Sequence, residues 1–200
     1  MTELLDALAA PKKRERVPTD PHQKILKKLA RLGWNVNGRG TKTLMARHQD
    51  SHVYITNTYA MRRFHPTDIV PIAIRAIVPD RVDERLREGF EFSLTASRGG
   101  EWMADGRRAP DMATVWPTEI PDTEIVHWES HATDSEAIVG HSADGVTVSC
   151  SAKLLGACVD GVEGPRVFVT VADDGTVRKP LVITDADAES VIAILMPRRG

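Results

Sequence analysis

After residues 20, 79 and 151 a short helical pattern in this chain gives way to strand-like segments. That recurrence restricts it to folds in which single helices alternate with antiparallel sheet. The first helix is predicted over 21–32, with Asp20 at the capping position, Pro21 at the first helical position and Gly33 at the exit. Strands are predicted over 43–47, 53–63 and 69–78, the last because it is rich in β-branched residues. A helix follows over 79–88, with Val82 and Leu86 inward and Gly89 closing it. Residues 90–96 and 101–104 read as a hairpin around Gly99 and Gly100. Residues 105–123 carry Pro110, Pro117 and Pro121 and read as a connection between two domains. Beyond it, strands over 125–128, 137–141 and 145–150 lead to a helix over 151–162 capped by Ser151. Gly156 weakens that helix by about 1 kcal/mol relative to alanine, so it relies on packing. Strands over 166–172, 181–184 and 191–195 follow. The expectation is an α+β fold of two small domains, 20–118 and 119–200, with sheets on one side and helices on the other. Residues 1–19, with prolines at 11 and 18 bracketing a basic run, read as a flexible arm or a docking peptide.

Charge is partitioned along the chain. Residues 1–63 hold 13 Lys+Arg against 5 Asp+Glu, and the remainder holds 13 against 23. Such a basic block fits a polyanion-binding face, and by counts alone it fits a solvated tail equally well. The first helix sharpens the choice. At roughly 100° per residue, Lys24, Lys27, Lys28 and Arg31 fall within an arc of about 100°, opposite Ile25, Leu26, Leu29 and Leu32. No acid interrupts the cationic face for i,i+4 pairing, so these four residues are the candidate phosphate contacts.

No apolar run approaches the roughly 18 residues that a membrane span needs. Acids at positions 3 and 6 stand where a secretory signal carries bases, so a cytoplasmic protein without membrane contact is expected. Cys150 and Cys158 fit no zinc spacing, and a reduced chain is a simpler reading than one disulfide. No phosphate-binding glycine loop, dinucleotide fingerprint, His-Glu-x-x-His or Gly-x-Ser-x-Gly motif occurs. His127 and His131 are four apart with His141 ten further on, but on strand and loop they read as isolated surface histidines. His48 and His52 share that spacing across a turn and read the same way. Binding, without metal or cofactor, is therefore expected in place of catalysis.

Three separated stretches carry a resemblance. Residues 53–61 (Val-Tyr-Ile-Thr-Asn-Thr-Tyr-Ala-Met) resemble the Ala-Thr-Asp-Gly-His-Arg-Leu segment of the bacterial β sliding clamp, the processivity factor of replicative DNA polymerases. Thr56 stands at the threonine, Asn57 at the aspartate, Thr58 at the glycine, Tyr59 at the histidine and Met61 at the leucine. Residues 105–117 are similar to the Gly-Arg-Phe-Pro-Asp-Tyr and Val-Leu-Pro linker of that family. Residues 146–198 resemble its final helix, its Lys-Pro-Leu-Val-Ile strand and its terminal Met-Pro-Met-Arg, with Arg198 in place of the second methionine. Together they cover about half of the sequence, in the order of the last two of the family's three domains.

The resemblance implies a sliding-clamp-like protein that encircles double-stranded DNA and tethers a DNA polymerase or other clamp-binding proteins. Helices would line the hole and sheets the outside, with Lys24, Lys27, Lys28 and Arg31 touching phosphates without reading sequence. A homo-oligomer of about three two-domain chains would close the family's six-domain ring. The family's peptide pocket would fall at Thr56, Thr58, Tyr59 and Met61, with Pro110 and Val115, and with Ile194, Met196, Pro197 and Arg198. Such Met, Val, Ile and Pro surfaces suit the apolar anchors of an extended peptide. An adaptor with the same fold and no ring is the alternative. A further resemblance, to small toxin ribonucleases, rests on residues 23–36, 38–41 and 52–55, with His52 catalytic and RNA as substrate; it leaves residues 64–200 unexplained.

Overall fold

The computed structural model describes residues 21, 22, 24, 25, 43–77, 90–93, 103–105 and 111–198. Eleven strands form one sheet in which every neighbouring pair is antiparallel. In chain order they are β1 (Thr43–Gln49), β2 (His52–Thr56), β3 (Ala60–Phe64), β4 (Phe90–Ser93), β5 (Met103–Asp105), β6 (Thr123–Ser130), β7 (Ala137–Ser142), β8 (Thr147–Ser151), β9 (Arg166–Val169), β10 (Leu181–Thr184) and β11 (Val191–Leu195). Helix α1 (Ile69–Ile77) lies between β3 and β4, helix α2 (Ala152–Val159) between β8 and β9, and a 3-10 turn (Ala113–Val115) precedes β6. Among the described residues the architecture is thus mostly antiparallel sheet with two bounded helices, and residues 21, 22, 24 and 25 are helical as well.

The strand order is β5-β4-β1-β2-β3-β11-β10-β9-β6-β7-β8. Two stretches of chain trace the same path through it. A three-strand meander (β1–β3, then β6–β8) is followed by a helix, and the next strand (β4, then β9) joins the free edge of the meander's first strand. The two stretches meet where β3 pairs with β11, Met61 opposite Ile194 and Ala60 opposite Leu195.

Two expectations fail here for physical reasons. Residues 53–63 are not one strand but the hairpin β2–β3. Asn57 breaks it: the buried Oδ1 accepts from the backbone N–H groups of Tyr59 (3.0 Å) and Ala60 (2.8 Å), and Thr58 turns through φ +79°. Residues 69–77 are helix rather than strand. The Asp68 carboxylate accepts from the His65 N–H, and Pro71 falls in the first turn, where its missing N–H costs nothing. Burial then follows the helical period. Val70, Ala73 and Ile74 join the core while Ile69 and Ile72 face out, so packing overrides the β-branched composition. The helix expected over 79–88 and the glycines of the 90–104 hairpin lie outside the described residues, but the hairpin's strands do pair, Phe92 opposite Ala104. The strands over 181–184 and 191–195 and the Ser151-capped helix are found where the sequence placed them.

Alternation along each strand separates two cores. Val53, Ile55, Leu181, Ile183, Ala193 and Leu195 face the helices and pack with Cys150, Leu155 and Cys158. Tyr54, Met61, Phe168, Val182 and Ile194 face the other way, joined by Val191 beyond the register shift between β10 and β11, and are covered by Met112, Trp116 and Ile120 of the segment that precedes β6. Around α2 the sheet bends back on itself. That helix packs on β11 and β3 on one side and on β7 and β8 on the other, and the Arg198 N–H donates to Ser149 O of β8 at 2.8 Å.

Candidate functional site

The helix-free face of the sheet brings the three singled-out stretches together. Met61 and Ile194 are cross-strand partners, and the pairing runs one residue further where the Met196 N–H donates to Tyr59 O at 2.7 Å. The third stretch is pinned across this face at several points. Met112 is fully buried, the Gln49 amide donates to the Asp111 carboxylate at 2.8 Å, and the Trp116 ring meets Tyr54 edge-on at 5.2 Å. The Arg63 guanidinium lies 5.2 Å from the centre of the Trp116 ring. Burial raises the Tyr54 hydroxyl above its ordinary value, so this floor stays uncharged through neutral pH.

A cleft of about 600 Å³ opens beside this strip. Val182 and Ile194 of the helix-free face line it together with Val115, Ile120 and the prolines at 117, 121 and 180. A second, smaller hollow of about 320 Å³ lies across the strip, between Trp116 and the Glu189–Val191 stretch, and shares Pro117, Thr118 and Ile120 with the first.

Of the residues proposed from sequence for a peptide pocket, Val115 and Ile194 line the cleft. Met61 lies beneath, buried in the same apolar cluster. Tyr59 and Met196, the two large exposed side chains at the β3–β11 junction, neighbour one another. Thr58 is exposed at the hairpin turn, and Pro197 is half-buried. Two side chains are occupied elsewhere. Thr56 is buried, and its hydroxyl donates to Ala60 O (2.7 Å) and accepts from the Thr58 N–H (3.0 Å). Arg198 pairs with the Asp134 carboxylate next to β7, on the far side of the sheet's bend. Pro110 lies outside the described residues. So do Lys27, Lys28 and Arg31, while Lys24 is exposed and its neighbour Ile25 packs against the helix-side core, as an amphipathic helix requires.

Sequence reasoning missed Ile120, Val182, Glu119, Asp122 and Lys179, which all line the cleft. Val182 was legible as the odd member of the Leu181–Thr184 alternation. Ile120, four residues beyond Trp116 in a proline-rich segment, has no periodicity to reveal it. Among the histidines, His127 and His141 are cross-strand partners with rings 6.0 Å apart, and His141 Nε2 lies 3.2 Å from Glu129 Oε1. His131 caps its turn, accepting from the Asp134 N–H at 3.2 Å. His52 holds Asp50 O at 2.8 Å beside the β1–β2 turn. Among the described residues no group of three or more His, Cys, Asp or Glu is placed to hold a metal ion, and both cysteines are free. Likewise, no described helix is long and apolar enough to cross a membrane.

No protein family matches this chain, and no curated protein does either. Among solved structures the chain is similar to bacterial clamps. The DNA polymerase III beta chain of Streptococcus pneumoniae aligns at 10% identity and a TM-score of 0.38, over 96% of this chain and 69% of that one. The DNA polymerase sliding clamp of Pseudomonas aeruginosa aligns at 11% identity and a TM-score of 0.38, over 96% and 70%.

Proposed function

We propose that this protein is a non-enzymatic, sliding-clamp-like processivity factor: copies assemble as a ring around double-stranded DNA and tether a DNA polymerase or other replication proteins through the cleft beside Ile194. One observation carries the reading. Segments at 53–61, 111–116 and 194–196, far apart in the chain and each carrying part of the clamp resemblance, converge at the β3–β11 junction and its covering strip. The physical sense is consistent with this role. The cleft offers Val182 and Ile194 to an anchor side chain, Val115 leaves apolar surface on its lining at 57% exposure, and Tyr59 and Met196 leave more at the β3–β11 junction, at 44 and 41%. On this reading the cationic face Lys24, Lys27, Lys28 and Arg31 contacts phosphates from inside the ring, and the division at residues 118/119 separates two clamp-like domains.

Retention on closed circular DNA tests it. The expected result is a homo-oligomer by light scattering that stays with circular plasmid and runs off when the plasmid is linearised. Loading should weaken with salt, and the slope should fall by about one for each phosphate contact removed in Lys24→Ala or Lys27→Ala. A monomer that dissociates equally from circular and linear DNA sinks the encircling role. A monomer whose apolar-peptide binding is lost in Val115→Asp supports the adaptor reading instead.

A further inference from the structure

We propose that the segment docking in the cleft beside Ile194 carries a lysine or arginine next to its apolar anchor, set against Glu119 and Asp122; this rests on reading the cleft as a peptide site. The cleft carries both signs of charge: Glu119 and Asp122 line it from the segment before β6, and Lys179 lines it from the segment before β10. All three are exposed, and among the described residues none forms a hydrogen bond or ion pair through its side chain. Nearby charges on the same face are already engaged. Arg63 lies over Trp116, Arg178 is paired with Asp174, and Arg166 with Glu124. Two carboxylates beside the apolar side chains of Val182 and Ile194 therefore offer a partner a complementary charge that the described residues do not supply.

The walls narrow the mode of recognition. Pro117, Pro121 and Pro180 have no N–H to lend, so at those positions an incoming strand gains no ladder bond, and side chains must carry the selectivity. At about 600 Å³ the cleft is of the size that seats one compact ligand, enough for a single anchor and one flanking residue. An anchor on Val182 and Ile194 sits in the same lining as Glu119 and Asp122, which its neighbour would then meet. An acidic neighbour there meets like charge, which selects against it as strongly as a basic one is selected for.

The test is selection of a random twelve-residue peptide library, displayed on phage, on the full chain, followed by fluorescence titration of the enriched peptides. Enriched peptides should pair a large apolar residue with an adjacent Lys or Arg. They should bind Glu119→Gln/Asp122→Asn roughly tenfold more weakly at low salt, with the gap closing as salt rises. Enriched peptides that lack the basic neighbour, yet are lost with Val115→Asp, overturn this proposal and leave the peptide site standing. No enrichment, or enrichment insensitive to Val115→Asp, overturns both. If copies of the wild type associate and copies of Glu119→Lys/Asp122→Lys do not, the occupant is a second copy of this chain and the proposal fails.

Discussion

Asn57 has no exposed surface, and its side-chain oxygen serves two backbone donors at the turn that delivers Tyr59 to the β3–β11 junction. Replacing it by alanine leaves the Tyr59 and Ala60 N–H groups without that acceptor. The cost of such a loss is about 1–3 kcal/mol, and chemical denaturation of Asn57→Ala should show it as a lower midpoint with unchanged slope. Thr56 and Asn57 thus hold the hairpin in shape. Cys150 and Cys158 show a contrast between type and place. Burial pushes both thiols up to about 12, so neither is a thiolate at neutral pH. A thiol reagent at pH 8 should modify neither in the folded chain and both in denaturant; rapid labelling of the native protein would show that the helix-side core opens.

Helix α2 is made by its surroundings as much as by its sequence. Ser151 accepts from the Leu154 N–H at its start, and at its end the carbonyls of Ala157 (3.3 Å) and Asp160 (2.8 Å) accept from Arg62 of β3. The Arg62 guanidinium also lies 4.9 Å from the Phe64 ring centre, and burial lowers its pKa below the ordinary arginine value. An arginine thus supplies the helix's missing donors from the other half of the chain. Arg62→Met keeps much of the aliphatic packing and removes the donors. It should cost roughly 1–3 kcal/mol in unfolding free energy, and Arg62→Lys should recover only part of that. The start of α2 was legible because a serine cap is a local signal, while the Arg62 cap spans nearly a hundred residues and leaves no trace in sequence. The same distinction explains the strands. Leu181–Thr184 and Val191–Leu195 are apolar runs bounded by Pro180, Asp185 and Ser190, and both bounds come out as read. Ile69–Ile77 has the composition of a strand, and only the alternation of Val70, Ala73 and Ile74 against Ile69 and Ile72 reveals the helix. At the cleft, Val115 and Ile194 stand in short motifs, but Glu119, Asp122 and Lys179 do not, because nothing local marks them as lining one cleft.

At the scale of the whole molecule, two ionic ties fasten the bent sheet from outside and a third closes a turn. The Glu124 carboxylate takes two hydrogen bonds from Arg166, at 2.8 and 2.5 Å, across β6 and β9. Asp134 is paired with Arg198 where the chain beyond β11 meets β8, and Asp174 with Arg178 in the turn after β9. All three carboxyls are held below their ordinary values. For Glu124 the leading cause is the Arg166 hydrogen bond, for Asp134 the Glu136 N–H ahead of Arg198, and for Asp174 the Thr176 hydroxyl. A carboxyl depressed in the folded state stabilises the fold at every pH above its unfolded value. That contribution fades as pH falls through the lower folded value. Melting temperature should therefore hold level from pH 7 down to about 5 and then decline through the ordinary carboxylate range and below it. Glu124→Gln isolates one tie. Because this pair is partly exposed, it should lower the melting temperature by only roughly 1–3 °C at pH 7 and low salt, and the gap to wild type should close toward pH 3. An unchanged gap at pH 3 would assign the loss to packing of the glutamine and not to the ion pair. No gap at pH 7 would mean that β6 and β9 are held by their ladder and apolar cores alone.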